Sequence, residues 1–100
     1  MNYEGWYSSI MEEFRAIVSG RVQMVMYRDF AQRHARRFGI VGTVRNLPDG
    51  AVEIVAQGEK ASLEKLLQDL HKGPLLAKVT DVQTEWRIPH TRFDSFEIVQ

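Results

Sequence analysis

Between Phe14 and Ile98 the spacing of apolar residues changes from about two to about three and a half and back, twice over, and this narrows the available folds most. Phe14, Ala16 and Val18 alternate with Arg15, Ile17 and Ser19, which predicts a strand over 14–21. Tyr27, Phe30, Ala31, His34, Ala35 and Phe38 then recur at the spacing of one helix face. That helix should stop at Gly39, with Arg36 and Arg37 opposing the negative end of its dipole. Residues 40–45 and 51–56 are rich in Val and Ile, and Leu47, Pro48, Asp49 and Gly50 between them predict a hairpin turn. Leu63, Leu66, Leu67 and Leu70 define a second helix, starting between Lys60 and Ser62 and ended by Gly73 and Pro74. A strand over 78–86 slips in its alternation near Thr80 and Asp81, as a bulge would make it, and Phe96 and Ile98 mark a last short strand.

Strand, helix, strand, strand, helix, strand is the order of a ferredoxin-like split βαβ sandwich, an α+β fold with an antiparallel sheet and both helices on one face. A chain of 100 residues, 44% hydrophobic, has room for one such domain and its core. Residues 1–13 read as an N-terminal extension and 14–100 as the domain. The first ten residues have no periodicity and end either as a frayed terminus or as an arm packing Trp6 or Tyr7 on the sheet.

The fold hosts unrelated functions, so the site has to decide among them. The chain has no cysteine, which removes thiol nucleophiles, thiolate metal sites and disulfides, and fits a reducing, cytoplasmic setting. Thirteen basic residues balance thirteen acidic ones, against the charge expected of a nucleic-acid binder. Aromatics that would stack bases on the first and third strands are also missing beyond Phe14. No apolar run approaches the ~20 residues that span a bilayer. His34, His71 and His90 are too scattered for a metal centre. The expectation is a monomer with no metal, nucleic-acid or membrane partner.

Gly20, Arg21, Val22, Gln23, Met24, Val25 and Met26 form a loop between a strand and a helix. Such a loop holds an anion well, because the first helical amides lack intrahelical acceptors and a curved lead-in adds more of them. Arg28 is in the first turn, where a cation opposes the helix dipole; a bound anion would remove that conflict, and a guanidinium matches phosphate oxygens. The competing reading is a surface arginine, covering an apolar neighbour or paired with a distant carboxylate. Asp29 points elsewhere on the helix and is not its obvious partner. Asn46, just ahead of the hairpin turn, either orients a water or substrate oxygen or bonds the backbone two residues on as ordinary turn chemistry.

The blocks GRVQMVMYR, VRNLPDG, GPLLAKVTDVQTEW and FDSFEIV occur in an order that resembles the acylphosphatase family from about Phe14 to Ile98. The resemblance implies a ferredoxin-like enzyme without metal or other cofactor, hydrolysing the carboxyl-phosphate anhydride of small acyl phosphates to a carboxylate and inorganic phosphate. It makes the 20–26 loop the phosphate cradle, Arg28 the phosphate-binding arginine and Asn46 the residue that orients the attacking water. Acetyl, carbamoyl and glyceroyl phosphates share the reacting group, and separated side chains reveal no second pocket of specificity.

One departure stands out. The family loop reads Val-Gln-Gly-Val-Gly or a close variant, and Met24 and Met26 replace its glycines here. If the cradle needs a left-handed backbone at Met24, a side chain there costs about 1–2 kcal/mol. If phosphate must approach closely, the side chain obstructs it, which would leave a catalytically impaired phosphate-binding domain. The alternative is an ordinary backbone with Met24 pointing outward and its amide available.

Overall fold

A computed structural model describes residues 11–100, so the proposed packing of Trp6 or Tyr7 lies outside the described residues. The elements are β1 (Glu12–Arg21), α1 (Tyr27–Arg37), β2 (Val41–Asn46), β3 (Val52–Gly58), α2 (Lys60–Lys72), β4 (Lys78–Arg87) and β5 (Phe96–Ile98). They form one five-stranded sheet in the order β4-β1-β3-β2-β5. The strand and helix order expected from the periodicity is present throughout.

Register decides which residues face the helices. Phe14, Ala16 and Val18 pair with Ala56, Ile54 and Val52, which in turn pair with Gly42, Val44 and Asn46. Because side chains alternate along a strand, these rows share one face. Their apolar members form a single buried cluster with Ala31 and Ala35 of α1 and Leu63, Leu66 and Leu70 of α2. Both helices therefore cover that face, α1 over β2 and β5 and α2 over β1, β3 and β4. The opposite face is charged: Glu53 accepts from Arg15 and Arg45, each at 2.7 Å.

β1 begins at Glu12, two residues ahead of the expected start at Phe14. Glu13 is buried, and its carboxylate accepts from Gln57 at 2.7 Å and from Arg87. Glu12 takes the next position in the Phe14, Ala16, Val18 row, so the apolar alternation stops two residues short of the strand's start. The bulge falls where the alternation slipped: Ser19 pairs with Asp81 but Gly20 with Val79, leaving Thr80 unmatched on β4. Gly20 has φ 121°, and a Cβ there would lie 2.1 Å from the Lys78 carbonyl oxygen. Only glycine lets the two strands meet at this exit from β1.

The sheet departs from the antiparallel expectation at one edge. β5 runs parallel to β2, with Gly42 opposite Phe96 and Val44 opposite Ile98. The chain leaves β4 at one edge, crosses to the other and enters β5 in the direction of β2. Gln57 pins this crossing: its amide nitrogen donates to the Thr91 carbonyl, and its amide oxygen accepts from the Phe93 N–H at 3.2 Å.

A buried hydrogen bond joins the helices, from the Tyr27 hydroxyl to the Leu70 carbonyl at 2.7 Å. In a continuing helix the amide of residue 74 would fill that acceptor, but residue 74 is Pro. Tyr27 replaces the missing donor, and so fixes the first turn of α1 against the end of α2.

Candidate active site

Topology brings the two candidate side chains to one end of the sheet. β1 and β2 are both antiparallel to β3, so they point the same way and end at the same edge. Residues 22–26 leave that end of β1 and lead into α1, while Asn46 is the last residue of β2. Asn46 belongs to the row Asn46–Val52–Val18, on the face that α1 covers.

Of the expected cradle, Gly20 and Arg21 are the last paired residues of β1, and Val22 is buried in the core. The curved part is Gln23–Val25 with Met26 as the N-cap of α1. Met24 has φ 62° and Met26 φ 64°, whereas Gln23 and Val25 are not in the positive region. Alternation of hand from residue to residue turns successive amides toward a common concave side, the geometry of an anion nest. No backbone N–H from Gln23 to Asp29 donates to a carbonyl among the described residues, and the N-cap supplies no side-chain bond. These donors face the end of the helix where negative charge is favoured.

Both readings of Met24 turn out to be partly right. Its backbone is left-handed, as the first required, and its side chain is 99% exposed, as the second required. The loop therefore carries strain without a methionine filling its concave side.

Gln23 does work that its neighbours' sequence did not announce. Its side-chain nitrogen donates to the Leu47 and Ala51 carbonyls, both at 2.9 Å. These carbonyls flank the β2–β3 turn, so one amide ties the cradle to the hairpin that bears Asn46. A local reading has no signal for a contact 24 and 28 residues away.

Arg28 makes no hydrogen bond or ion pair among the described residues. The neighbouring Asp29 carboxylate is held by Arg33 at 3.0 Å, which leaves the guanidinium without that counterion. Arg28 lines a recess of about 460 Å³ together with Met24, Met26, Tyr27 and Ile98. Ile98 was expected only as a strand residue; the parallel entry of β5 beside β2 is what brings it here.

The turn beside Asn46 does not use the asparagine. Asp49 Oδ1 accepts from the Ala51 N–H at 3.1 Å, and the Leu47 carbonyl accepts from the Gly50 N–H at 3.1 Å. Asn46 Oδ1 is buried and, alone among the buried side-chain polar atoms of the described residues, has no hydrogen-bond partner. A buried acceptor left open costs about 1–3 kcal/mol, which points to a use outside the fold's own bonding.

A concave set of amides, an uncommitted guanidinium and an open amide oxygen, gathered without a nucleophile, suit the binding of a phosphoryl group and the placement of a water. The acylphosphatase family model matches residues 14–98. An acylphosphatase of Thermus thermophilus is 50% identical over 76 residues, covering 76% of this chain and 86% of that protein. One of Anaeromyxobacter dehalogenans is 46% identical, covering 84% of this chain and 90% of its own length. The crystal structure of acylphosphatase from Bacillus subtilis superposes with a TM-score of 0.87 at 35% identity, over 89% of this chain and 99% of that one. These likenesses cover most of the chain, and it belongs to the acylphosphatase family of enzymes.

Proposed function

We propose that this enzyme hydrolyses small acyl phosphates without a metal ion, with Arg28 and the amides of the curved 23–26 part of the loop holding the phosphoryl group and Asn46 placing the water. The observation that carries the assignment is the pair of open groups at one sheet end: Arg28 without a counterion and Asn46 Oδ1 buried without a donor. The guanidinium and the nest neutralise the phosphoryl oxygens, and Asn46 Oδ1 accepts a hydrogen bond from the water in line with the bond to be broken. Water oxygen bonds to phosphorus, the bond from phosphorus to the acyl oxygen breaks, and the electron pair leaves with the carboxylate. A phosphoryl oxygen accepts the water proton, so inorganic phosphate forms without a general base on the protein. The carboxylate is already a good leaving group, so positioning and charge stabilisation are the main demands.

On this reading the enzyme is a cytoplasmic monomer with no nucleic-acid or membrane partner. The zero formal charge fits the lack of a nucleic-acid partner; no helix among the described residues is long and apolar enough to cross a membrane.

The test is acetyl phosphate hydrolysis in the presence of a chelator by wild type, Arg28→Ala and Asn46→Ala, each checked for cooperative unfolding. Turnover by wild type should fall about 10²–10³-fold in either variant, the usual cost of one donor to developing charge. Folded variants that turn over within threefold of wild type would remove both residues from the mechanism.

A further inference from the structure

Beyond the phosphoryl end, the recess says something about the other half of the substrate, and this step rests on the function proposed above. Its walls beside Arg28 are apolar: Met24, Met26 and Ile98 are 99%, 69% and 39% exposed, with the ring of Tyr27 behind them. Single exposed apolar residues are common, but three around one cationic recess form a patch with a location. The polar lining residue besides Arg28 is Asp29, already bonded to Arg33. A polar acyl group would find no free partner on these walls.

The two methionines also occupy backbone positions that cost free energy for any residue with a Cβ. In the free enzyme neither side chain recovers that cost by packing, since both are exposed. Strain of this kind persists where a bound state uses it. A methionine suits that use, because its unbranched thioether adapts to irregular apolar shapes. With phosphate held by the amides and Arg28, the substituent on the acyl carbon projects out of the nest toward the side chains at its mouth.

We infer that Met24, Met26 and Ile98 form an apolar rim that receives the acyl group, so this enzyme selects acyl phosphates bearing an aromatic ring or several carbons over acetyl phosphate. The recess of about 460 Å³ lies within the range of small-molecule sites, roughly 300–1,000 Å³. Each methylene taken out of water is worth about fourfold in binding. An open rim removes only part of the acyl surface from water, so the preference is of order tenfold.

The experiment measures kcat/KM for benzoyl phosphate and acetyl phosphate, each divided by its uncatalysed rate in the same buffer. It uses wild type, Met24→Ser/Met26→Ser and Ile98→Thr, with inorganic phosphate as a competitive inhibitor to read the cradle. Wild type should favour benzoyl phosphate about tenfold, the double variant should lose most of that preference, and Ile98→Thr, outside the loop, should lose about threefold. An equal fall for both substrates, with weaker phosphate inhibition, would reduce the methionines to parts of the cradle and overturn the rim. Equal normalised rates in wild type would overturn it as well. Absence of turnover of both substrates by folded wild type would instead refute the proposed function on which the rim depends.

Discussion

Replacing Met24 by glycine should stabilise this protein, and the sign is what makes the experiment informative. At an ordinary backbone position the change destabilises by about 0.4–1 kcal/mol, because the unfolded chain gains freedom. Met24 sits at φ 62°, where a Cβ costs about 1–2 kcal/mol. Its side chain is 99% exposed, so no packing is lost with it. The difference leaves a net gain of about 0.5–1 kcal/mol, or about 3–6 °C in Tm for a domain of this size. Met24→Ala is the control: it keeps the Cβ and therefore the strain, and should remain within about 0.5 kcal/mol of wild type. Urea unfolding of the three proteins, analysed at a common m-value, measures both differences. Met24→Gly less stable than Met24→Ala would show that the loop is not held left-handed at this residue, and the nest built on the alternation of hand would fall with it.

Tyr27→Phe should cost about 1–3 kcal/mol, because the Leu70 carbonyl loses the donor that stands in for the missing amide of Pro74. Burial pushes the Tyr27 phenol well above its usual value, so the native state holds its proton where the unfolded chain has released it. That contribution is complete below about pH 10 and declines as pH rises further, so the phenylalanine variant should show a flatter alkaline limb in thermal unfolding between pH 9 and 11. On the acid side, burial raises the Glu53 carboxyl, but hydrogen bonds from Arg45 and Arg15 outweigh it and hold the group below the usual carboxylate range. Its contribution is present above about pH 4.5 and is lost as pH falls through the lowered value. Glu53→Gln should therefore lose about 1–3 kcal/mol at pH 7, and its gap to wild type should narrow as pH falls below about 4.5; a gap that stays constant on acidification would contradict the linkage. Gln23→Ala should lower kcat/KM for acetyl phosphate about tenfold or more while costing little cooperativity in unfolding, since its amide joins the cradle to the Asn46 hairpin. Wild-type kinetics in that variant would show that the two parts are aligned by other contacts.

What the sequence made legible and what it hid divide along the range of the interactions. The α1 stop at Gly39 was readable because it is local: φ is 70° there, and the Ile40 N–H closes on the Ala35 carbonyl at 2.9 Å. The Thr80 bulge was readable for the same reason, since an extra residue shifts the alternation of its own strand. The start of β1 was not, because Glu12 interrupts the apolar row and only the pairing of Glu12 and Glu13 with Gly58 and Gln57 extends the strand. The direction of β5 was hidden too. Three residues of strand carry no sign of parallel or antiparallel pairing, and the choice is made by Gln57 holding residues 91 and 93 on their way across the sheet.

The candidate site mixes both kinds of information, and this explains why its parts emerged unevenly. Arg28 could be singled out because a cation at a helix N-terminus is an anomaly within one turn, and its lack of a protein counterion sharpens that anomaly. Asn46 could not be separated from turn chemistry until Asp49 was seen to make the turn. The cradle's dependence on Gln23 and the recess wall at Ile98 arise only when β1, β2 and β5 are brought together. Local sequence thus supplied the charged groups, while long-range register set their common edge and the apolar side of the recess. A substitution at Gln57, far along the sheet from Arg28, would on this argument reach the site through β5 and Ile98. Benzoyl phosphate selectivity should respond to it before phosphate inhibition does.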